Sequence, residues 1–306
     1  MRSLKDFFII LLKGMGMGAS DVVPGVSGGT IAFITGIYEE LIHSIKSIDG
    51  EAFKLALKFK FKDFWKKING NFLLAVFSGV LISIFSLAHV IEYLLTNYPV
   101  YIWSFFFGLI IASVVMIIKD IKKWNFGIVI SLLIGFVLAF WITTISPAES
   151  STSLLFVFLS GSIAICAMIL PGISGSFILV LLGKYQFILA AVTEFKISVL
   201  AVFTAGAIVG LISFSNVLSW LLKKFRYQTI ALLAGFMAGS LNKIWPWKET
   251  LETFIDRHGE IQPLIQRNIL PSDTSFSSDF YPAIAIAVAG ALVIFLIGRL
   301  ASTTKN

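Results

Sequence analysis

The sequence predicts an all-α polytopic membrane protein built from two inverted repeats, each a re-entrant helical hairpin plus three transmembrane helices. Three observations lead there: the scarcity of charge, the one-sided placement of the basic residues, and two similar breaks in otherwise apolar runs. Of the 306 residues, 57% are hydrophobic and 13% charged, with a mean hydropathy of +0.91. Soluble domains carry about 25% charged residues. A chain this poor in charge cannot cover a soluble surface. That excludes a soluble enzyme and a nucleic-acid-binding module, despite the net charge of +7. Cys166 is the one cysteine, so no intramolecular disulfide can form.

The elements follow in order. Residues 1–145 are expected to form the first repeat and residues 146–306 the second. The first apolar run, 4–45, is interrupted by Gly and Pro near its middle. A Lys-rich connector follows. Within it Phe53, Leu57, Phe61, Phe64, Trp65 and Ile68 share one helical face beside Lys54, Lys58, Lys62 and Lys66. This predicts an amphipathic helix over 53–68, lying on an anionic cytoplasmic leaflet. Runs 71–95, 99–118 and 124–145 are uninterrupted and approach the ~20 residues that cross a bilayer. Run 154–192 is interrupted like the first. Runs 197–222, 227–241 and 280–300 complete the second repeat. Between the last two lies the polar loop 242–279, with Trp245 and Trp247 at its start.

The basic residues set the orientation. Arg2, Lys5 and Lys13 precede the first break, and seven lysines fall in 46–70. Lys119, Lys122 and Lys123, then Lys223, Lys224 and Arg226, then Arg299 and Lys305 account for the other clusters. One topology places all of them in the cytoplasm, as the positive-inside rule asks. It requires each interrupted run to enter and leave on one side, the first hairpin opening inward and the second outward. The three spans between them turn the second half over. Both termini are then cytoplasmic, in a multi-pass membrane protein, and loop 242–279 is outside.

An internal repeat agrees with this reading. Pro24-Gly-Val-Ser-Gly-Gly-Thr30 matches Pro171-Gly-Ile-Ser-Gly-Ser-Phe177, and at the same offset Gly36 matches Gly183 and Tyr38 matches Tyr185. Further on, Gly108 to Ser113 matches Gly235 to Ser240, and Gly135 matches Gly290. Inverted repeats with broken helices are the architecture of many secondary transporters, whose sites lie near the midplane.

The breaks carry the candidate chemistry. Bare backbone inside a membrane survives only where protein or a wet cavity satisfies it. Pro24, Gly25, Pro171 and Gly172 make the structural break. Ser27, Gly28, Gly29 and Thr30, with Ser174, Gly175 and Ser176, offer N–H groups and hydroxyls at the start of a half-helix. That arrangement suits an anion. The same residues also serve tight hairpin packing or cap their own turn. Lys184, one residue before Tyr185, is a further candidate anion partner; snorkelling to the interface is its other reading. Asp21 and Glu39 are candidate coupling residues, with helix capping and solvation as the plainer alternatives. No H-E-x-x-H, G-x-S-x-G or phosphate-binding P-loop pattern occurs. No catalytic residue, metal site or cofactor is therefore expected. Few polar residues fall in the full spans, which weighs against a small-anion channel or transporter, the main alternative. A membrane lipid phosphatase would need a base near its nucleophile, and no histidine falls near either break.

The stretch from Gly14 to Ile42, with the second Pro-Gly-x-Ser-Gly tip and the overall length, resembles the PopT-type polyprenyl-phosphate transporter family, long catalogued as a domain of unknown function. Its paired hairpins also resemble the DedA-type translocases. The resemblance implies that the substrate is undecaprenyl phosphate, flipped from the outer to the cytoplasmic leaflet so that the carrier lipid is reused in cell-envelope synthesis. It implies motif roles for Asp21, Pro24, Gly25, Ser27, Gly28, Gly29, Thr30 and Glu39, and for Pro171, Gly172, Ser174, Gly175 and Ser176. The expected partners are the polyprenyl-phosphate lipid and anionic membrane lipids, with no nucleic acid; self-association into a homo-oligomer is compatible with the sequence.

Overall fold

The computed structural model describes residues 2–23, 26–147, 151–255, 261–271 and 279–303. Pro24 and Gly25 lie outside the described residues. Among the described residues the fold is helical, with one small β-ribbon. Helices α6 (Gly70–Asn97), α7 (Pro99–Lys119), α8 (Phe126–Thr144) and α12 (Ile197–Lys224) are long and apolar enough to cross a membrane.

Each interrupted run becomes three helices. The first gives α1 (Leu4–Val22), α2 (Gly28–Ile34) and α3 (Tyr38–Lys46). The second gives α9 (Leu154–Ile169), α10 (Gly175–Leu181) and α11 (Tyr185–Thr193). Helices α2 and α10 each have 7 residues, and α3 and α11 each have 9. Helices α6 and α12 each have 28. The turn after each short helix closes on a glycine in the left-handed region, Gly36 at φ +74° and Gly183 at φ +60°. Ile37 N–H donates to Ala32 O and Gly36 N–H to Phe33 O. Lys184 N–H to Leu179 O and Gly183 N–H to Val180 O repeat the pattern. Both are Schellman closures, which need a residue that tolerates positive φ. The turn between α10 and α11 bends the chain by 108°.

The connector forms two helices rather than the single amphipathic helix expected over 53–68. They are α4 (Gly50–Leu57) and α5 (Phe61–Lys67). Phe59 adopts φ 56°, and Lys60 N–H reaches back to Leu55 O, closing the first helix. The hydrophobic spacing looked continuous because two short helices in register read like one. Phe53, Leu57, Phe59, Phe61 and Trp65 remain exposed beside the lysines.

Helix α13 (Arg226–Ser240) has 15 residues, about 22 Å at 1.5 Å per residue, and is short for a lipid-facing span. Ala231, Leu233, Ala234 and Met237 are fully buried in it. Other helices surround it, so its length need not match the lipid. Loop 242–279 holds the ribbon, β1 (Lys248–Ile255) antiparallel to β2 (Ile261–Asn268). Trp245 donates from Nε1 to Ile269 O and packs edge-on against Phe107, which ties the ribbon to the bundle. The last helix is α14 (Tyr281–Thr303).

Glycines set the helix contacts. Helix α1 packs on α6 and α9 on α12, while α7 packs on α14 and α8 on α13. Gly108 of α7 faces the Ala287 carbonyl of α14, and Gly290 of α14 faces the Phe105 carbonyl of α7. Gly135 of α8 and Gly235 of α13 meet the Leu232 and Leu132 carbonyls in the same way. Without a hydrophobic drive between helices in lipid, close backbone approach holds them. Gly290→Leu is expected to force α7 and α14 apart. Melting of the detergent-solubilised protein should show a loss of about 2 kcal/mol or more.

Candidate functional site

The two breaks meet inside the bundle. Ser27 caps α2: its backbone is extended, and its Oγ accepts from Gly29 N–H at 3.0 Å. The same hydroxyl donates to Met168 O at 2.9 Å, across to the other break. Thr30 Oγ1 accepts from Gly172 N–H at 2.9 Å, a second bridge. Tyr38 adds a third, its OH donating to Ile169 O at 3.2 Å. Ser27, Thr30 and Tyr38 are buried. Each is satisfied, as buried polar groups must be.

The second tip is built alike but is less enclosed. Ser174 caps α10, its Oγ accepting from Phe177 N–H at 3.4 Å, and lies 2.6 Å from Ser176 Oγ. Gly175 approaches the Ala164 carbonyl, and Gly172, at φ +95°, lies under the last turn of α13. Pro171 stands at the turn between α9 and this tip. Helices α2 and α10 have two turns each, so their dipoles are weak; the useful groups are the clustered N–H donors and hydroxyls.

Asp21, at the end of α1, accepts from Gly28 N–H at 2.7 Å. A carboxylate therefore occupies the first donor of α2, where an anionic ligand would sit. Glu39 lies away from the tips, on the end of the molecule where Arg226 Nη2 pairs with its Oε1 at 2.8 Å. Nearby Arg2 holds Glu40 with two bonds of 2.6 Å, and Asn69 donates to the same carboxylate at 2.8 Å. Lys46 Nζ reaches Ser219 Oγ at 3.5 Å, and α3 packs along α12. Helix α11 has no such packing on α6 among the described residues. One end of the molecule is thus closed between α3 and α12, and the matching place at the other end is not.

Lys184 is not brought to the tips. It sits past the far end of α10, roughly 10 Å of helix from Ser174. Its side chain is 1% exposed, with Nζ over the Phe156 and Phe187 rings at 5.4 and 5.0 Å, so it does not snorkel. Sequence reasoning missed Tyr38 as a tip bridge. The repeated tyrosine at 38 and 185 was the available signal. It also missed Arg226 as the partner of Glu39, a contact between residues far apart in sequence. Among the described residues no cluster of His, Cys, Asp and Glu could hold a metal.

Residues 17–262 match the VCA0040-like family, described as undecaprenyl phosphate translocase-like. The chain is similar to a polyprenyl-phosphate transporter of Vibrio cholerae serotype O1, 45% identical over 293 residues, covering 94% of this chain and 95% of the relative. It is also similar to a polyprenyl-phosphate transporter of Staphylococcus aureus, 33% identical over 260 residues, covering 78% and 86%. No solved structure matches. Both relatives are named as transporters rather than enzymes. The matched stretch takes in both tips and the helices that bury them, and the chain belongs to the VCA0040-like, undecaprenyl phosphate translocase-like family.

Proposed function

We propose that the protein transports polyprenyl phosphate, and specifically that it flips undecaprenyl phosphate from the outer to the cytoplasmic leaflet for reuse in envelope synthesis. The observation that carries this reading is the meeting of two broken-helix tips inside the bundle, joined by Ser27 to Met168 O and Gly172 N–H to Thr30. Family membership supplies the substrate class. The equal lengths of α2 and α10, of α3 and α11 and of α6 and α12, with the matching contact pairs, support two inverted repeats with re-entrant hairpins. On that reading the lysine-rich end is cytoplasmic, as are both termini, in the bacterial cell membrane. The packing of α3 on α12, with Glu39 on Arg226, then closes the cytoplasmic side.

In this state the tip donors are already taken by Asp21, Ser27 and Thr30. A phosphate binds by exchange: its oxygens replace these acceptors on the Gly28, Gly29 and Gly172 N–H groups, the released Ser27 hydroxyl donates to the anion, and Ser174, Gly175 and Ser176 add donors from the second tip. Alternating access follows from one repeat rocking against the other around the exchanged anion. Protonation of Asp21 removes its negative charge, weakens its hold on the Gly28 N–H and is the coupling step.

The test is flipping of labelled lipid phosphate in proteoliposomes. Losing a buried hydroxyl partner costs about 1–3 kcal/mol. Ser27→Ala with Ser174→Ala should therefore slow flipping at least tenfold. No acceleration by the wild type, or unchanged flux in the double variant, would sink the reading.

A further inference from the structure

The tips are not the only place where an anion is provided for. Between the ends of α8 and α13, the side of α10 and the ribbon lies a cavity of about 310 Å³. One wall is apolar, made by Phe177, Val180 and Leu181 of α10. The opposite wall carries Lys243, Lys248 and Arg267, and among the described residues no acidic side chain lines it. Arg267 is matched by Glu249 at 2.7 Å. Among the described residues the two lysines are not matched in this way. Lys243 Nζ stands 4.5 Å over the Phe177 ring, and Lys248 Nζ stands 3.5 Å over the Trp103 ring. Lys248 Nζ is buried and has no hydrogen-bond partner among the described residues. Burial pushes the Lys243 ammonium below its usual range. Burial, then the charge of Lys243, push Lys248 well below it.

Two ammonium groups held near each other in a half-buried cavity repel and lose hydration. The aromatic faces repay part of this. An anion between them repays the rest, and among the described residues no carboxylate lining the cavity supplies one. Of the amide oxygens on this wall, Asn242 Oδ1 already accepts from Asn268 Nδ2. The cavity is therefore a cationic wall facing an apolar one. That pairing fits a phosphomonoester joined to a hydrocarbon chain better than it fits a free ion.

We propose that Lys243 and Lys248 form a second anion site that captures the phosphate headgroup of a polyprenyl monophosphate on the ribbon side, beside the second tip. Phe177 belongs to both places, since its N–H is capped by Ser174 and its ring carries Lys243. The site rests on the transport reading for its substrate class, but it is tested by binding rather than by flux. The full-length protein in nanodiscs is titrated with a short-chain polyprenyl monophosphate, with the matching polyprenol and with inorganic phosphate, and Trp103 fluorescence is followed. Trp103→Phe identifies its share of the signal.

The monophosphate should change the signal, with the alcohol and inorganic phosphate at least tenfold weaker. Lys243→Gln with Lys248→Gln should weaken the monophosphate at least tenfold, and Lys243→Arg with Lys248→Arg should restore it. If the glutamine pair does not fold, Lys243→Gln alone should still weaken binding several-fold. Wild-type affinity in the glutamine variants would overturn the site. Equal binding of the alcohol would overturn its phosphate selectivity, and equal binding of inorganic phosphate would overturn the lipid as its ligand. A wild type that binds here yet flips nothing would count against the transport reading and leave the site standing.

Discussion

Gly29→Val is expected to abolish flipping. A Cβ at Gly29 would lie 2.5 Å from the Ile169 carbonyl oxygen and 3.1 Å from that of Met168. Both atoms are backbone of the other hairpin, so no rotamer change relieves the clash. The tips must separate, which breaks the Ser27 bond to Met168 O and the Gly172 bond to Thr30. Overpacking alone costs about 1–3 kcal/mol, and two lost buried bonds add a similar amount. Proteoliposome flux should fall below a tenth of wild type, with a lower melting temperature. Gly50→Ala, at an exposed position with open space around it, should leave both unchanged. Full flux in Gly29→Val would show that the tip contact is not needed for transport.

Asp21→Asn is expected to tighten phosphate binding while slowing turnover. The Asp21 carboxylate holds Gly28 N–H and competes with a ligand phosphate for it. Like charges close together away from water repel strongly. An asparagine carbonyl keeps the bond to Gly28 without the charge. Relief of about 1.4 kcal/mol would lower the dissociation constant about tenfold. The anion would then leave slowly, and flux should drop by a similar factor and lose its response to a proton gradient. Weaker binding in Asp21→Asn, or an intact gradient response, would remove Asp21 from the coupling role.

Much of this was legible in the chain. The two breaks stand out because Pro and Gly interrupt apolar runs, and lipid forbids irregular backbone without a protein partner. Ser27 and Ser174 were readable as caps from their place before the glycines. Gly36 and Gly183 were readable as a matched pair, and both close their helices in the left-handed region. Other features were not legible. A period of 3.6 does not reveal a single left-handed residue, so the split at Phe59 was hidden. The ribbon was hidden in a polar loop. Lys184 carries the same sequence signal whether it snorkels or lies between Phe156 and Phe187.

The sequence by itself determined the membrane class, the helical architecture and the location of the two tips. These follow from hydropathy, charge asymmetry and local backbone chemistry, all short-range properties of the chain. Tertiary structure alone decided who meets whom. It set Ser27 against Met168, Thr30 against Gly172, Glu39 against Arg226, and Lys243 and Lys248 against one cavity wall. Those contacts join residues from different hairpins and spans. Their strength comes from burial and from geometry across the bundle, which local composition does not encode.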